Sequence, residues 1–242
     1  MDSIGSYFTA IAQPKGLGNL SRNFGWSELI FLLSAVRWTL LLSMIAFAGG
    51  AVAGLLVALL RTAPIAALRW IAIGFIQVFQ GTPVLMQLFV CFYGLPVLLH
   101  VEVDPWPAVT IAFMLYSGAF LGEIWRGTIQ AIPRSQWEAA RSLSLSYLQQ
   151  LRLVILPQAV RIAIPPTVGF LVQLIKGTSI ASIIGVVELT RAGQLMTNVT
   201  FEPMLIYPVV ALLYFALCWP LSLMSRYLEQ HIDTNLSTKW SL

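Results

Sequence analysis

The residues best suited to chemistry fall in two places. The first is Lys176-Gly-Thr-Ser-Ile180, followed by Glu188, in a run from 162 to 187 that is otherwise without charge. A lysine deep in lipid costs a few kcal/mol unless it faces water or a partner. Lys176, Thr178, Ser179 and Glu188 are therefore candidates for a polar lining. Alternatively, Lys176 ends a helix and snorkels to an interface, and both readings stand at this point. The second place is the segment from Ile132 to Pro157, too polar to span a bilayer and regularly patterned. Ser135 precedes Glu138, and Ser146 precedes Gln149, by the three residues of a capping box. Two short helices meeting near Ser144 are predicted. Trp137, Ala140 and Leu143, with Leu145, Leu148, Leu151 and Val154, form apolar stripes that require burial, in part against another protein.

Other chemistries find little support. No Gly is followed by Lys-Ser or Lys-Thr, so the phosphate-cradling loop G-x-x-x-x-G-K-S/T is absent. Any nucleotide hydrolysis must lie in a partner, and no catalytic residue is expected. His100 and His231 lack ligand-spaced neighbours, so no metal site is expected. Cys91 and Cys218 sit in apolar runs and read as packing residues. Glu123 and Arg126, three apart, read as an ion pair.

The elements that hold these residues follow from composition. The chain has 242 residues, 58% hydrophobic and 10% charged, with a mean hydropathy of +0.81. A soluble domain carries roughly 25% charged residues, so this chain cannot cover a water-facing surface, and disorder is excluded by the same figures. It reads as an all-α polytopic membrane protein. Charge-free runs at 38–60, 70–101, 105–122 and 203–225 each have the length for a span of ~20 residues, and 70–101 is longer than one span requires. A fifth span, opening at Pro165-Pro166, breaks near Lys176. Gln80-Gly81-Thr82-Pro83 interrupts the longest run, so a helix from near Pro64 lies along or dips into the interface and the span proper is 84–99. Gly50 with Gly54, and Gly118 with Gly122, have small-xxx-small spacing; this reads equally as helix packing or as the ordinary glycine content of membrane helices.

Five spans place the termini on opposite sides. With 126–161 inside, nine of the 14 basic residues are cytoplasmic: Arg61, Arg69, Arg126, Arg134, Arg141, Arg152, Arg161, Arg226 and Lys239. The positive-inside bias then puts the N-terminus outside and the C-terminus inside. The expected organisation is an extracytoplasmic tail, 1–28, a membrane domain, 29–230, with a cytoplasmic loop at about 131–158, and a cytoplasmic tail, 231–242. Residues 1–27 lack the basic start and apolar core of a cleavable signal peptide, so the first apolar helix is expected to direct insertion.

Glu138-Ala139-Ala140, a small residue at 144 and Val154-Ile-Leu-Pro157 resemble the EAA loop of membrane subunits of bacterial ABC importers. Gln80-Gly-Thr-Pro-Val-Leu-Met-Gln-Leu-Phe89, Phe92-Tyr-Gly-Leu-Pro96, Glu123-Ile-Trp-Arg-Gly127, Leu156-Pro-Gln-Ala-Val-Arg161, Lys176-Gly-Thr-Ser-Ile180 and Glu188-Leu189 are similar to the polar amino acid branch of that family. The resemblance covers roughly residues 30–230. It implies a type I importer transmembrane domain in the bacterial inner membrane. The implied partners are a second membrane subunit, identical or paralogous, two ATPase subunits that hold ATP and Mg, and a periplasmic amino acid-binding protein. The chain itself would be no enzyme, carry no cofactor and bind no nucleic acid. Glu138, Ala139, Ala140, Ser144, Leu156 and Pro157 would form the ATPase-coupling loop, with Ala139 and Ala140 on its docking face. Lys176, Thr178, Ser179 and Glu188 would receive the carboxylate and ammonium of an amino acid. The rival expectation is a self-contained secondary transporter of a small polar solute.

Three positions depart from the family pattern. Ser144 stands for a glycine that would favour a left-handed turn, Gln80 for an arginine, and Gly177 for an aspartate. The last leaves Lys176 either paired elsewhere, with Glu188, or open to an anionic group.

Overall fold

The structure, a computed structural model, describes residues 24–63, 65–100 and 102–240. Most of the expected N-terminal tail, and Pro64, lie outside these residues. Every regular element described is helical. Helix α1 is Trp26–Thr62 and α2 is Ala66–Gly81. Helix α3 begins as Val84–Phe89, passes through a π-helical turn, Val90–Gly94, and ends as Leu95–Leu99. Helix α4 is Pro105–Gln130 and α5 is Arg134–Ser142. Helix α6 starts at Tyr147, continues through a π-helical segment, Gln150–Ile155, and runs on as Leu156–Gly177. A 3-10 segment, Thr178–Ile184, then leads to α7, Leu189–Thr200, and α8, Pro203–Trp240.

Among the described residues four helices are long and apolar enough to cross a membrane, and the count rises to five where the bent pair α2 and α3 is taken as one broken span rather than a re-entrant loop. The spans exceed the charge-free runs because charges at their ends are accommodated locally. Glu28 is buried, and its carboxylate accepts from the Gly25 N–H and the Ser27 hydroxyl at 2.9 Å each. This fixes the start of α1, which already includes residues 26–28 of the expected tail. Arg37 lies over the Trp38 ring, 5.3 Å from its centroid. At the other end, residues expected as a separate tail from 231 continue α8 to Trp240.

Pro165 and Pro166 correct a second expectation, since they lie inside α6 rather than at its entrance. Their carbonyl and neighbouring side chains are tied across the bundle. The Ser225 hydroxyl donates to the Pro165 carbonyl at 2.8 Å, and the Trp125 indole N–H donates to Thr167 Oγ1 at 3.0 Å. The helix does end at Gly177, beside Lys176, as expected, and the 3-10 segment that follows is capped by Gly185, where φ is +90°.

Helices α2 and α3 meet at 104°. Proline removes the N–H that would bond the carbonyl four residues earlier, which for Pro83 is that of Phe79. Buried Gln87 replaces it: its amide donates to the Phe79 carbonyl at 2.8 Å and to the Thr82 carbonyl at 3.1 Å. Gln80 then donates to the Ala119 carbonyl of α4 at 3.2 Å, anchoring the elbow to the bundle.

The main core joins Leu42 and Ala46 of α1, Leu88 of α3, Ala112 and Phe113 of α4, and Phe170 and Leu174 of α6. The broadest helix contact is between α1 and α4, and the two glycine pairs are its seam. A Cβ on Gly50 would stand 2.2 Å from Ser117 Cβ, and one on Gly54 3.0 Å from the Gly122 backbone nitrogen. A Cβ on Gly118 would stand 2.7 Å from Ala53 Cβ, and one on Gly122 2.7 Å from Val57 Cγ1. The spacing is thus a packing device: in lipid, where no hydrophobic effect drives association, close backbone approach supplies the attraction. Gly50→Leu is expected to destabilise the bundle by about 3 kcal/mol or to prevent its assembly. Gly74→Ala, where a Cβ meets nothing within 4 Å, should leave the detergent unfolding temperature within about 2 °C of the parent.

Candidate functional site

The loop between α4 and α6 is a compact hairpin. It rests on a small core of Ile132, Leu151, Ile155 and Ala159, with Trp137 and Val154 packed against it. Trp137 and Tyr147 stack across the two arms with centroids 6.2 Å apart. The capping box expected at Ser146 forms, with the Ser146 N–H donating to Gln149 Oε1 at 2.9 Å. The one expected at Ser135 does not. Helix α5 begins at Arg134 after Pro133, so Glu138 is its fifth residue, beyond capping reach, and its side chain is exposed.

Ser144 has φ +56°. Its N–H donates to the Arg141 carbonyl at 2.8 Å, and the Leu145 N–H donates to the Ala140 carbonyl at 3.4 Å. These are the two bonds of a Schellman motif, whose left-handed position is ordinarily glycine. The strain expected from a serine there has a specific location.

The hairpin separates residues that the sequence pattern groups together. Ala140 is 2% exposed and faces its own chain, so its expected place on an outward docking face is corrected. Ala139, Glu138, Ser144 and Pro157 are exposed, and Leu156 is half-buried in the hairpin core. Leu151 of the predicted stripes is buried as well, whereas Leu143 and Leu148 stay 74% and 70% exposed. Tyr147 and Leu153 join them on the surface. Arg134, Trp137, Glu138 and Arg141 surround a shallow pocket on α5. The hairpin therefore holds itself together with one apolar face and presents a second, mixed apolar and charged, to its surroundings.

The four residues expected to line a pathway divide into two pairs. Lys176 and Ser179 border a cavity of about 600 Å³ between α6 and α8, completed by Val172, Ala211, Tyr214, Phe215, Cys218, Trp219, Ser222 and Arg226. Among the described residues no carboxylate pairs with Lys176, whose side chain is exposed in this groove. Arg126, by contrast, is held by Glu123, its Nε donating to Glu123 Oε2 at 2.8 Å. Thr178 and Glu188 are wholly buried elsewhere. The Thr178 hydroxyl donates to the Ile175 carbonyl at 2.7 Å.

Glu188 caps α7. Its carboxylate accepts the Thr190 and Arg191 N–H groups at 2.9 Å each, and the Tyr214 hydroxyl at 2.7 Å. The pairing of Lys176 with Glu188 is therefore corrected: the carboxylate already has three donors. Its effect on the groove is indirect, since it fixes Tyr214, whose ring forms part of the wall. Thr39 of α1 adds a further tie by accepting the Leu189 N–H at 3.1 Å. Sequence reasoning missed Tyr214, Arg226 and Gln87 as site-forming residues. Arg226 was visible only as a topology marker, and Gln87 carried a faint signal in its position four residues after Pro83.

Residues 50–234 match the family described as binding-protein-dependent transport system inner membrane component. The chain is 38% identical over 200 residues to the probable amino-acid ABC transporter permease protein YckA of Bacillus subtilis, covering 83% of this chain and 88% of that one. It is 37% identical to the L-cystine transport system permease protein TcyB of the same organism, with coverages of 84% and 86%. Against the glutamine transport system permease protein GlnP of Escherichia coli K12 the identity is 35%, with coverages of 86% and 95%. A solved amino acid ABC transporter with histidines superposes with a TM-score of 0.80 at 29% identity, over 87% of this chain and 100% of that one. An inward-facing methionine ABC transporter, at 18% identity and a TM-score of 0.74 over 86% and 99%, shares the fold.

The geometry makes two measurable demands. Glu188→Ala removes a helix cap and takes from the Tyr214 hydroxyl its charged acceptor, leaving it the Thr190 hydroxyl at 3.1 Å, so a loss of about 2 kcal/mol is expected in detergent unfolding; a parental unfolding temperature would refute the capping role. Ser144→Gly should relieve about 1 kcal/mol of left-handed strain and slow hydrogen exchange at the Leu145 amide about fivefold; unchanged exchange would place the strain elsewhere.

Proposed function

The chain belongs to the family of binding-protein-dependent transport system inner membrane components, and we propose that it forms one half of the translocation pathway of an ATP-driven polar amino acid importer. As a permease subunit of the bacterial inner membrane it performs no covalent chemistry. Family membership implies ATPase subunits and a solute-binding protein as partners. The amino acid substrate rests on its likeness to the amino acid, cystine and glutamine permeases.

One observation carries the mechanical reading. The exposed hairpin is continuous, through the π-helical segment, with the helix that ends at Gly177, beside Lys176 in the groove. A displacement imposed on the hairpin by closing ATPase subunits would reach the groove through α6, and two such subunits rocking together would expose the pathway alternately to each side. The docking surface in this reading comprises Glu138, Ala139, Leu143, Tyr147 and Leu148, with Ser144 shaping the turn and Leu156-Pro157 joining it to α6. Ala140 supports that surface from beneath. Lys176 and Ser179 contact the solute, and Thr178 and Glu188 hold the wall that positions them. The second membrane subunit is a copy of this chain or a paralogue. The nine basic residues on one side support an N-terminus outside and a C-terminus inside.

Reconstitution in proteoliposomes with the ATPase and binding protein tests the proposal. Uptake should require ATP and survive collapse of ion gradients, whereas ionophore-sensitive uptake without ATP would favour a secondary transporter. Ala139→Trp should abolish co-purification of the ATPase while leaving the unfolding temperature unchanged. Ala140→Trp should lower that temperature, because the added ring has no space within the hairpin. If Ala139→Trp supported parental uptake, the docking surface would be misassigned.

A further inference from the structure

We infer that the groove between α6 and α8 selects acidic amino acids, those with a side-chain carboxylate, over their neutral amides. The inference rests on the reading of this groove as the translocation pathway and names the solute class that its chemistry favours.

Among the described residues the lining contains two cations, Lys176 and Arg226, and no Asp or Glu. Neither cation is paired with a carboxylate among the described residues. The acids that might have neutralised Lys176 are unavailable to it. Glu188 is wholly buried and accepts from Thr190, Arg191 and Tyr214, and position 177 is glycine. The remaining wall is predominantly apolar, with Phe215 and Trp219 stacked at 5.9 Å. Charges act more strongly across such a wall than in bulk water, and an uncompensated cation at membrane depth favours any anion that can reach it.

The groove can also accept the ammonium group common to all amino acids. The Ser179 hydroxyl donates to the Lys176 carbonyl at 2.8 Å, and the Ser222 hydroxyl donates to the Cys218 carbonyl at 2.9 Å. Both protons are committed, so each oxygen presents lone pairs to a ligand donor. These neutral acceptors orient an ammonium without cancelling the cationic field. The α-carboxylate is likewise common to every candidate. Discrimination therefore falls on the side chain: a second carboxylate is attracted, an amide gains only hydrogen bonds, and a basic side chain is repelled.

The test uses the assembled transporter, membrane subunits with ATPase, in nanodiscs without the binding protein, so that selectivity at the receptor does not mask that of the membrane domain. Equilibrium binding of radiolabelled L-glutamate and L-glutamine compares solutes of nearly equal size. Glutamate is expected to bind about tenfold more tightly, a difference of about 1.4 kcal/mol. Lys176→Gln should reduce the ratio to below about threefold, Lys176→Arg should keep it, and Lys176→Glu should reverse it. Equal or tighter binding of glutamine, a preference that survives Lys176→Gln, or no saturable binding of either solute to the parent would overturn the inference. If, in addition, Lys176→Gln left reconstituted uptake unchanged, the pathway assignment itself would fall; a charge-independent preference with impaired uptake would overturn only the acidic selectivity.

Discussion

The close approach of α1 and α4 is the contact on which the other arrangements depend. Lipid tails are as apolar as leucine, so helices in a membrane gain little from hiding hydrophobic side chains from one another. They gain by bringing backbones together, and the glycines at 50, 54, 118 and 122 permit this. Gly54 and Gly122 meet backbone to backbone, and Gly50 receives Ser117. With that seam closed, α4 becomes a fixed wall. The elbow between α2 and α3 fastens to it through Gln80, and α6 packs its Phe170 on Phe120 with ring centroids 5.5 Å apart. About three turns before Gly50, α1 supplies Thr39 to α7. One pair of helices thus carries the contacts that position both the elbow and the groove wall.

Much of the polar structure has a local job that is invisible in a list of charges. Glu188 and Lys176 look like a natural pair in sequence, two charges in the least affordable part of the chain. In the fold the glutamate is committed to a helix cap and a tyrosine, and the lysine has no counter-ion among the described residues. The cost of burying Glu188 is met by three donors, each strong because the acceptor is charged. Among the described residues nothing comparable surrounds Lys176, whose side chain remains exposed instead. The two residues solve the same problem of a charge in an apolar setting in opposite ways, one by saturation and one by staying accessible.

What could be read from sequence was governed by range. Spans, the interruption at Gln80 to Pro83, the break beside Lys176 and a turn near Ser144 all follow from neighbours within a few residues, and each is found in the structure; the left-handed backbone of that turn was signalled only by the glycine of the resembled family. The small-xxx-small spacing was visible, but its choice of partner helix was not. Ala140 was misjudged because an amphipathic stripe says only that a face is buried, leaving open whether the chain itself or another protein buries it. Tyr214 lies 26 residues from Glu188, so no local spacing announces it. The same limit hid the corrected place of Pro165-Pro166: a double proline ordinarily marks a helix start, and only a hydroxyl from α8 reveals that it sits mid-helix.

These features give α6 its significance as a mechanical element. Leu156–Gly177 has 22 residues, about 33 Å at 1.5 Å per residue, which matches the ~30 Å hydrocarbon thickness of a bilayer. Its lower end is rooted in the hairpin core through Leu156 and Ala159, and its upper end carries Lys176. A regular helix of this length transmits tilt efficiently, and a proline pair in its middle is where bending would ordinarily dissipate it. The bonds at Pro165 and Thr167 join that segment to α8 and α4, so the weak point of the lever is braced on both sides. The departures from regular α-helix lie instead at its ends, in the π-helical segment next to the hairpin arm and the 3-10 segment after Gly177. A middle braced on both sides suits the proposed role of this helix as one body joining the exposed hairpin to the groove.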